Sequence, residues 1–100
     1  MPYIKPEERA RFDCGIEELV TELVIDKYNE ETDRWVRELA PGNLNYVVSS
    51  IMAGVIKELG LSYTLVNNMI GALECAKTEL YRRVLITYEA KKINENGDVY

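Results

Sequence analysis

A long stretch of helical periodicity near the C-terminus constrains this chain more than any other feature. Apolar side chains recur every three or four residues from Val66 to Tyr88, a spacing that places them on one face of an α-helix. Ser62 is a suitable N-cap and "NENGD" is a suitable stop, so we predict a helix over residues 62–93, about 45 Å long. In a chain of 100 residues, such a helix leaves length for one domain with one core.

Two earlier segments show the same periodicity. Apolar residues at helical spacing follow Asp13, a good N-cap, and predict a first helical segment over residues 14–39. The stretch "YNEETDR" interrupts this pattern, which leaves open one long bent helix or two shorter ones, with a break near 29–33 favoured. Pro41 and the glycine after it end the segment, and a second helix is predicted over residues 43–59.

The two ends of the chain lack helical periodicity. Pro2 and Pro6 each remove a backbone donor, so we predict an extended arm over residues 1–12. Residues 94–100 form a short tail, and its last residues are candidates for pairing with residues 3 and 4 of the arm as a small sheet. The predicted fold is therefore all-α: a single domain built as a bundle of three main helices, or four if the first segment is broken.

Composition argues against several classes of function. A hydrophobic fraction of 47% with 29% charged residues is typical of a chain that folds. The net charge of -5 gives no general attraction to nucleic acid or to an anionic membrane surface. No apolar run is long enough to cross a bilayer and the N-terminus does not resemble a signal peptide, so we predict a cytoplasmic protein without nucleic-acid or membrane partners.

Residues suited to cofactor binding or nucleophilic catalysis are scarce. The absence of histidine removes the Ser/His and Cys/His activation schemes. Cys14 and Cys75 lie far apart and belong to no CxxC motif, so we expect buried, reduced thiols rather than a zinc site or a disulfide. We predict no metal and no cofactor, and we disfavour an enzyme.

Charge and side-chain size favour helix–helix contacts. Residues 17–38 carry eight acids against three bases, whereas residues 74–92 carry five bases against three acids. This complementarity favours packing of those segments within one chain or between two subunits. Small side chains on the second helix allow a close helix approach, and they lie at Ser50, Ala53 and Gly54. We therefore predict self-association as a dimer or higher oligomer, with another protein partner as an open alternative.

The stretch "ECAKTELYRR" contains the most anomalous residue, Lys77, near the centre of the predicted apolar stripe. Glu74 and Tyr81 lie on neighbouring rows of the helix and can supply oxygen atoms to its ammonium group. Arg83 borders the same face as a candidate clamp for a carboxylate, and Asn67 lies near the Glu74 edge. A lysine paired at the rim of the bundle is the favoured interpretation, with a ligand pocket and an oligomer interface as the alternatives.

Two other functions are weighed on this stretch. A small-ligand or nucleotide-handling protein would use the same polar edge, but Glu74 and Glu79 depart from the ExxE spacing with which helical nucleotide pyrophosphohydrolases bind magnesium. Regulation of nucleic acid through Arg82, Arg83 and the later lysines is disfavoured by the overall acidity. We expect Glu79 and Arg82 to be solvated.

Three stretches carry a resemblance: "MPYIKPEER", "PGNLNYVVSSI" and "NNMIGALECAKTELYRRVLITYEAKKINENGDVY". They resemble a family of small uncharacterised proteins from prokaryotes and their phages. The resemblance covers both termini and the C-terminal half, and it does not extend over about residues 17–39. Because that family has no assigned activity, the resemblance implies a self-contained domain and transfers no site residue.

Overall fold

The computed structural model describes residues 3–100, which fold into helices and one hairpin. The chain divides into two compact units, one of residues 4–61 and the other of residues 62–100 together with Tyr3. The first unit contains helix α1 (Pro6–Leu23), strands β1 (Val24–Asn29) and β2 (Arg34–Leu39), and helix α2 (Pro41–Leu59). The second contains helix α3 (Tyr63–Leu80), a π-helical segment (Tyr81–Leu85) and helix α4 (Ile86–Asn96).

Residues 24–39 form a two-stranded antiparallel sheet, so the all-α prediction is wrong. The first helix ends at Leu23, well before the predicted end at residue 39. The register runs from Val24 opposite Leu39 to Asn29 opposite Arg34. Strand-forming side chains dominate this segment, because β-branched and aromatic residues fit a pleated surface better than a helix. They are Val24, Ile25, Tyr28, Trp35 and Val36.

Cross-strand pairs hold one face of the hairpin together. The Arg37 Nε atom lies 3.5 Å from the Asp26 carboxylate, directly across the ladder. The rings of Tyr28 and Trp35, the next pair on that face, are tilted with centroids 5.5 Å apart. Such opposed pairs are the unit that stabilises an antiparallel ladder.

The acidic stretch that interrupts the helical pattern is the hairpin loop, residues 30–33. The Asn29 side-chain oxygen accepts from the backbone N–H groups of Glu31 at 2.9 Å and Thr32 at 3.3 Å. Asp33 has φ +53°, a left-handed conformation that aspartate tolerates better than most residues, and its carboxylate accepts from the Tyr28 hydroxyl. A break near 29–33 is therefore present, but strands flank it.

The prediction of an extended arm over residues 1–12 is wrong from Pro6 onwards, where α1 begins, and residues 1 and 2 of that arm lie outside the described residues. Proline is favoured in the first turn of a helix, where its missing N–H has no intrahelical partner to lose. Glu7 and Glu8 add favourable negative charge at this end. The predicted sheet between the termini does not form within the described part of the chain, because residues 3–5 and 97–100 contain no strand.

The remaining helices have clear local boundaries. α2 begins at Pro41, two residues before its predicted start, and ends at Leu59; the capping residue Gly60 has φ +83°, which suits glycine. The Ser62 side chain caps α3 by accepting from the Leu65 N–H at 3.1 Å. From Tyr63 the helical path continues through the π-helical segment to Asn96, a rise of about 50 Å.

No residue between 3 and 100 is buried, and this is the main departure from the predicted bundle. The least exposed apolar side chains are only half-buried. In the first unit they include Val24, Ile25, Val47, Val48, Met52, Val55 and Ile56. In the second they are Leu65, Val66 and Met69. Neither unit thus contains a sealed hydrophobic core of its own.

The Ser62 cap gives a first prediction. Ser62→Ala removes the acceptor for the Leu65 N–H, so we expect the free energy of unfolding to fall by about 1 kcal/mol. Urea denaturation followed by circular dichroism measures this change. Ser62→Asp keeps an acceptor at the same place and should leave the stability nearly unchanged; equal losses in the two variants would contradict the capping role.

Candidate functional site

The first candidate surface is an apolar groove of about 450 Å³ beside the π-helical segment. Most of its lining side chains are large and apolar or aromatic, and all of them are exposed. We call this surface the helical groove. It is lined by Lys77, Leu80, Tyr81, Val84, Leu85 and Tyr88. Apolar area of this kind in water is typical of a contact surface rather than of a solvated helix face.

The π-helical turn lies beside the helical groove and shifts the residues that follow it by one position. From Val66 to Val84, alternating steps of four and three residues place side chains in one row along the helix, which we call the seam. The members of this seam are Val66, Ile70, Leu73, Lys77, Leu80 and Val84. The Ile86 N–H bonds to the Tyr81 carbonyl, five residues back, so the turn contains one extra residue. A regular helix would bring Thr87 to the next seam position, and the extra residue brings Tyr88 instead.

Lys77 lies at the edge of the helical groove with its charge in water. Its Nζ atom lies 3.5 Å from the Glu74 carboxylate, and the Lys77 side chain is 72% exposed. The structure therefore brings Lys77, Glu74 and Tyr81 together, since Tyr81 also lines the groove. The predicted cluster members Asn67 and Arg83 are exposed and do not belong to the groove lining.

A second cluster forms around Glu79 and was missed by sequence reasoning. The Glu79 side chain is only 15% exposed, so the expectation that it is solvated is wrong. Its carboxylate accepts from the Tyr3 hydroxyl at 2.6 Å and from the Arg82 Nη2 atom at 2.9 Å. Arg82, rather than the predicted Arg83, is thus the arginine that holds a carboxylate here. The i,i+3 spacing of Glu79 and Arg82 in the sequence indicates their ion pair. No pattern in the sequence indicates the contact of Tyr3 with Glu79.

Hydrogen bonding shifts the pKa values of Tyr3 and Glu79 in opposite directions. The hydrogen bond from Tyr3, supported by the one from Arg82, lowers the pKa of Glu79 despite partial desolvation, which acts the other way. The same bond raises the pKa of the Tyr3 hydroxyl, because the ionised phenol has no proton left to donate to Glu79. The cluster keeps Glu79 ionised and attaches Tyr3 to α3, which is a structural role.

The predicted packing face on α2 is uncovered. Ser50, Ala53 and Gly54 are all exposed. A Cβ atom added to Gly54 would meet nothing within 4 Å, so no residue of its own unit packs against Gly54. The close approach of another helix to this face stays a prediction.

Metal-ligating side chains, thiols and apolar helices form no further candidate site in the described residues. Among residues 3–100, no group of three Asp, Glu, Cys or His side chains lies close enough to hold a metal ion. Cys14 and Cys75 are free and exposed, so their expected burial is wrong. No helix in the described part of the chain is long and apolar enough to cross a membrane.

A family model described as a domain of unknown function, DUF6899, matches residues 1–99. This match confirms the resemblance to an uncharacterised family of small proteins. Comparisons with curated proteins and with solved structures give no significant match. Function therefore has to be inferred from the surfaces of the chain itself.

The Glu79 cluster predicts a pH dependence. Because folding lowers the pKa of Glu79, the ionised carboxylate stabilises the native state above the usual glutamate pKa of about 4.3, and this contribution is lost as the pH falls through the lowered value. We expect Glu79→Gln to reduce the free energy of unfolding at about pH 7 and to differ little from the wild type near pH 3. Urea denaturation at both pH values measures this.

A matched control for this experiment is Glu95→Gln, which removes an exposed ion pair with Lys92 on α4. Its effect at neutral pH should be smaller, since exposed pairs contribute little. A stability difference between Glu79→Gln and the wild type that stays constant down to about pH 3 would contradict the account.

Proposed function

Because the chain belongs to the DUF6899 family, a domain of unknown function, we propose a function from its own surfaces: it acts through protein–protein contacts, chiefly by binding further copies of itself. One observation carries this proposal. Large apolar side chains are exposed on α1 to α4 and on both strands, whereas no described residue is buried. Leaving such area in water costs about 25 cal/mol per Å². Covering it with a partner therefore stabilises the complex.

The seam of α3 is the best candidate for the main contact. A single amphipathic helix is marginal in water and gains most of its stability by packing its apolar face. The alternation of four and three residues is the spacing that packs one helix along another. Lys77 occupies one seam position, where a lysine lowers stability but restricts the registers and partners that fit. Its Glu74 partner lies beside the seam to neutralise it.

We place this activity in the cytoplasm. The free thiols of Cys14 and Cys75 are both exposed. Exposed thiols persist best in a reducing compartment, because an oxidising one would pair them between molecules.

The proposed contact predicts the mass of the protein in solution and a substitution that lowers this mass. The wild type should sediment at a multiple of 11.5 kDa at micromolar concentration. Leu80→Glu places a charge in the middle of the seam and should weaken association by a factor of roughly 100 or more, about 3 kcal/mol. Sedimentation velocity measures both results.

Thr78→Glu adds the same charge to the same helix away from the helical groove, and it should leave the mass unchanged. A wild type that remains monomeric at high micromolar concentration, in both low and high salt, would overturn the proposal.

A second candidate function is the binding of a small ligand in the helical groove. The specific observation is an apolar lining with one ammonium group at its edge, from Lys77. This pattern suits an amphipathic molecule with an acidic group better than a nucleotide, since the lining offers few polar groups for a base or ribose.

Thermal-shift measurements distinguish this candidate. A fatty carboxylate that binds should raise the melting temperature, and Lys77→Met should reduce the rise, while Lys91→Met on α4 should not. Nucleotides and divalent cations belong in the same screen. No stabilisation by any of these compounds would rule out ligand binding at this groove.

A further inference from the structure

The outer edge of β2 is open in this structure. Within the described residues, the sheet has two strands, so β2 pairs only with β1. All six residues of β2 are exposed, and Trp35 is 71% exposed. β1 differs, because it contacts α1 and its first two residues are half-buried. A two-stranded hairpin is marginal by itself and gains stability when further strands pair with it.

We propose that the β2 edges of two copies pair antiparallel about a two-fold axis at Val36, which would form a four-stranded sheet. This inference rests on the self-association proposed above and adds a second contact between copies, distinct from the seam of α3. The two-fold axis is perpendicular to the sheet. A residue that lies a given number of positions before Val36 in one copy is therefore opposite the residue the same number of positions after Val36 in the other copy, with both side chains on the same face. The register therefore follows from the sequence of β2 alone.

Opposite charges meet in this register. Val36 lies opposite Val36 of the second copy, and Arg34 lies opposite Glu38 of that copy, twice by symmetry. Trp35 lies opposite Arg37 of the second copy, where a guanidinium can stack on the indole ring. Directly opposed side chains of these types stabilise an antiparallel pair.

Other registers of β2 are poorer. A shift of the axis to Arg37 would place the two arginines against each other. A shift to Trp35 would leave only three residue pairs within the strand, compared with five for the axis at Val36.

The edge of β1 is a poorer partner for itself. Its two longest symmetric registers are centred on Asp26 or on Lys27, so each would oppose like charges at the axis. Pairing of β1 with β2 of another copy would not form a closed dimer, because it would leave free strand edges to which further chains could add. Charged residues on an exposed edge commonly prevent pairing, but in β2 they favour one register.

Disulfide trapping tests this register. In a Cys14→Ser/Cys75→Ser background that still associates, Val36→Cys places two thiols opposite each other across the axis. We expect Val36→Cys to form a covalent dimer on mild oxidation at least about tenfold faster than Arg34→Cys, since the Arg34 positions of the two copies are offset by about 13 Å. Non-reducing electrophoresis gives both rates.

Charge reversal supplies an independent measurement on the same dimer. In the Val36→Cys protein, Glu38→Arg should slow cross-linking by about tenfold, and adding Arg34→Glu should restore the rate. A contact within one chain cannot explain the rescue, because the two residues lie about 13 Å apart along an extended strand.

The outcomes separate this inference from the proposed function. Fast, charge-dependent cross-linking at Val36 supports β2 pairing. A protein that associates while Val36→Cys reacts no faster than Arg34→Cys overturns β2 pairing and leaves self-association intact. A wild type that is monomeric under all conditions overturns both.

Discussion

Neither unit of the described chain buries apolar side chains in a core of its own, and the other features of the structure depend on this constraint. Burial of apolar area is the dominant favourable contribution to folding, yet no residue from 3 to 100 is buried. Local interactions define the elements: the Ser62 cap, the Tyr28–Trp35 pair and the Asn29 turn. These contribute a few kcal/mol at most, and the proposed contacts with other copies would supply further stability.

The sequence predicted the helices better than the hairpin, for a physical reason. In α2 and α3, apolar residues at helical spacing lie between strong boundary signals, the proline and glycine near residue 41 and the Ser62 cap. In residues 24–39 the apolar positions fit a helical stripe, but Val24, Ile25 and Trp35 are also good strand formers. Periodicity alone does not distinguish the two in so short a segment.

The candidate site was predictable in part. Lys77 was identified from the helical wheel, and the Glu74 partner lies at the expected i,i+3 distance. The π-helical turn was not predictable, because a single extra residue in a helix leaves no distinct signature in composition. The contact of Tyr3 with Glu79 joins residues 76 positions apart, and such pairings depend on tertiary structure.

If contacts between copies of the chain complete its folding, its stability depends on concentration. The most direct test is the melting temperature, followed by far-ultraviolet circular dichroism over a thousandfold dilution series. Since association stabilises the folded state by mass action, the melting temperature should fall steadily as the protein is diluted, and helix content should decrease at the lowest concentrations. A sharp, cooperative transition at the same temperature throughout the series would contradict the account, because it would require a core within the single chain.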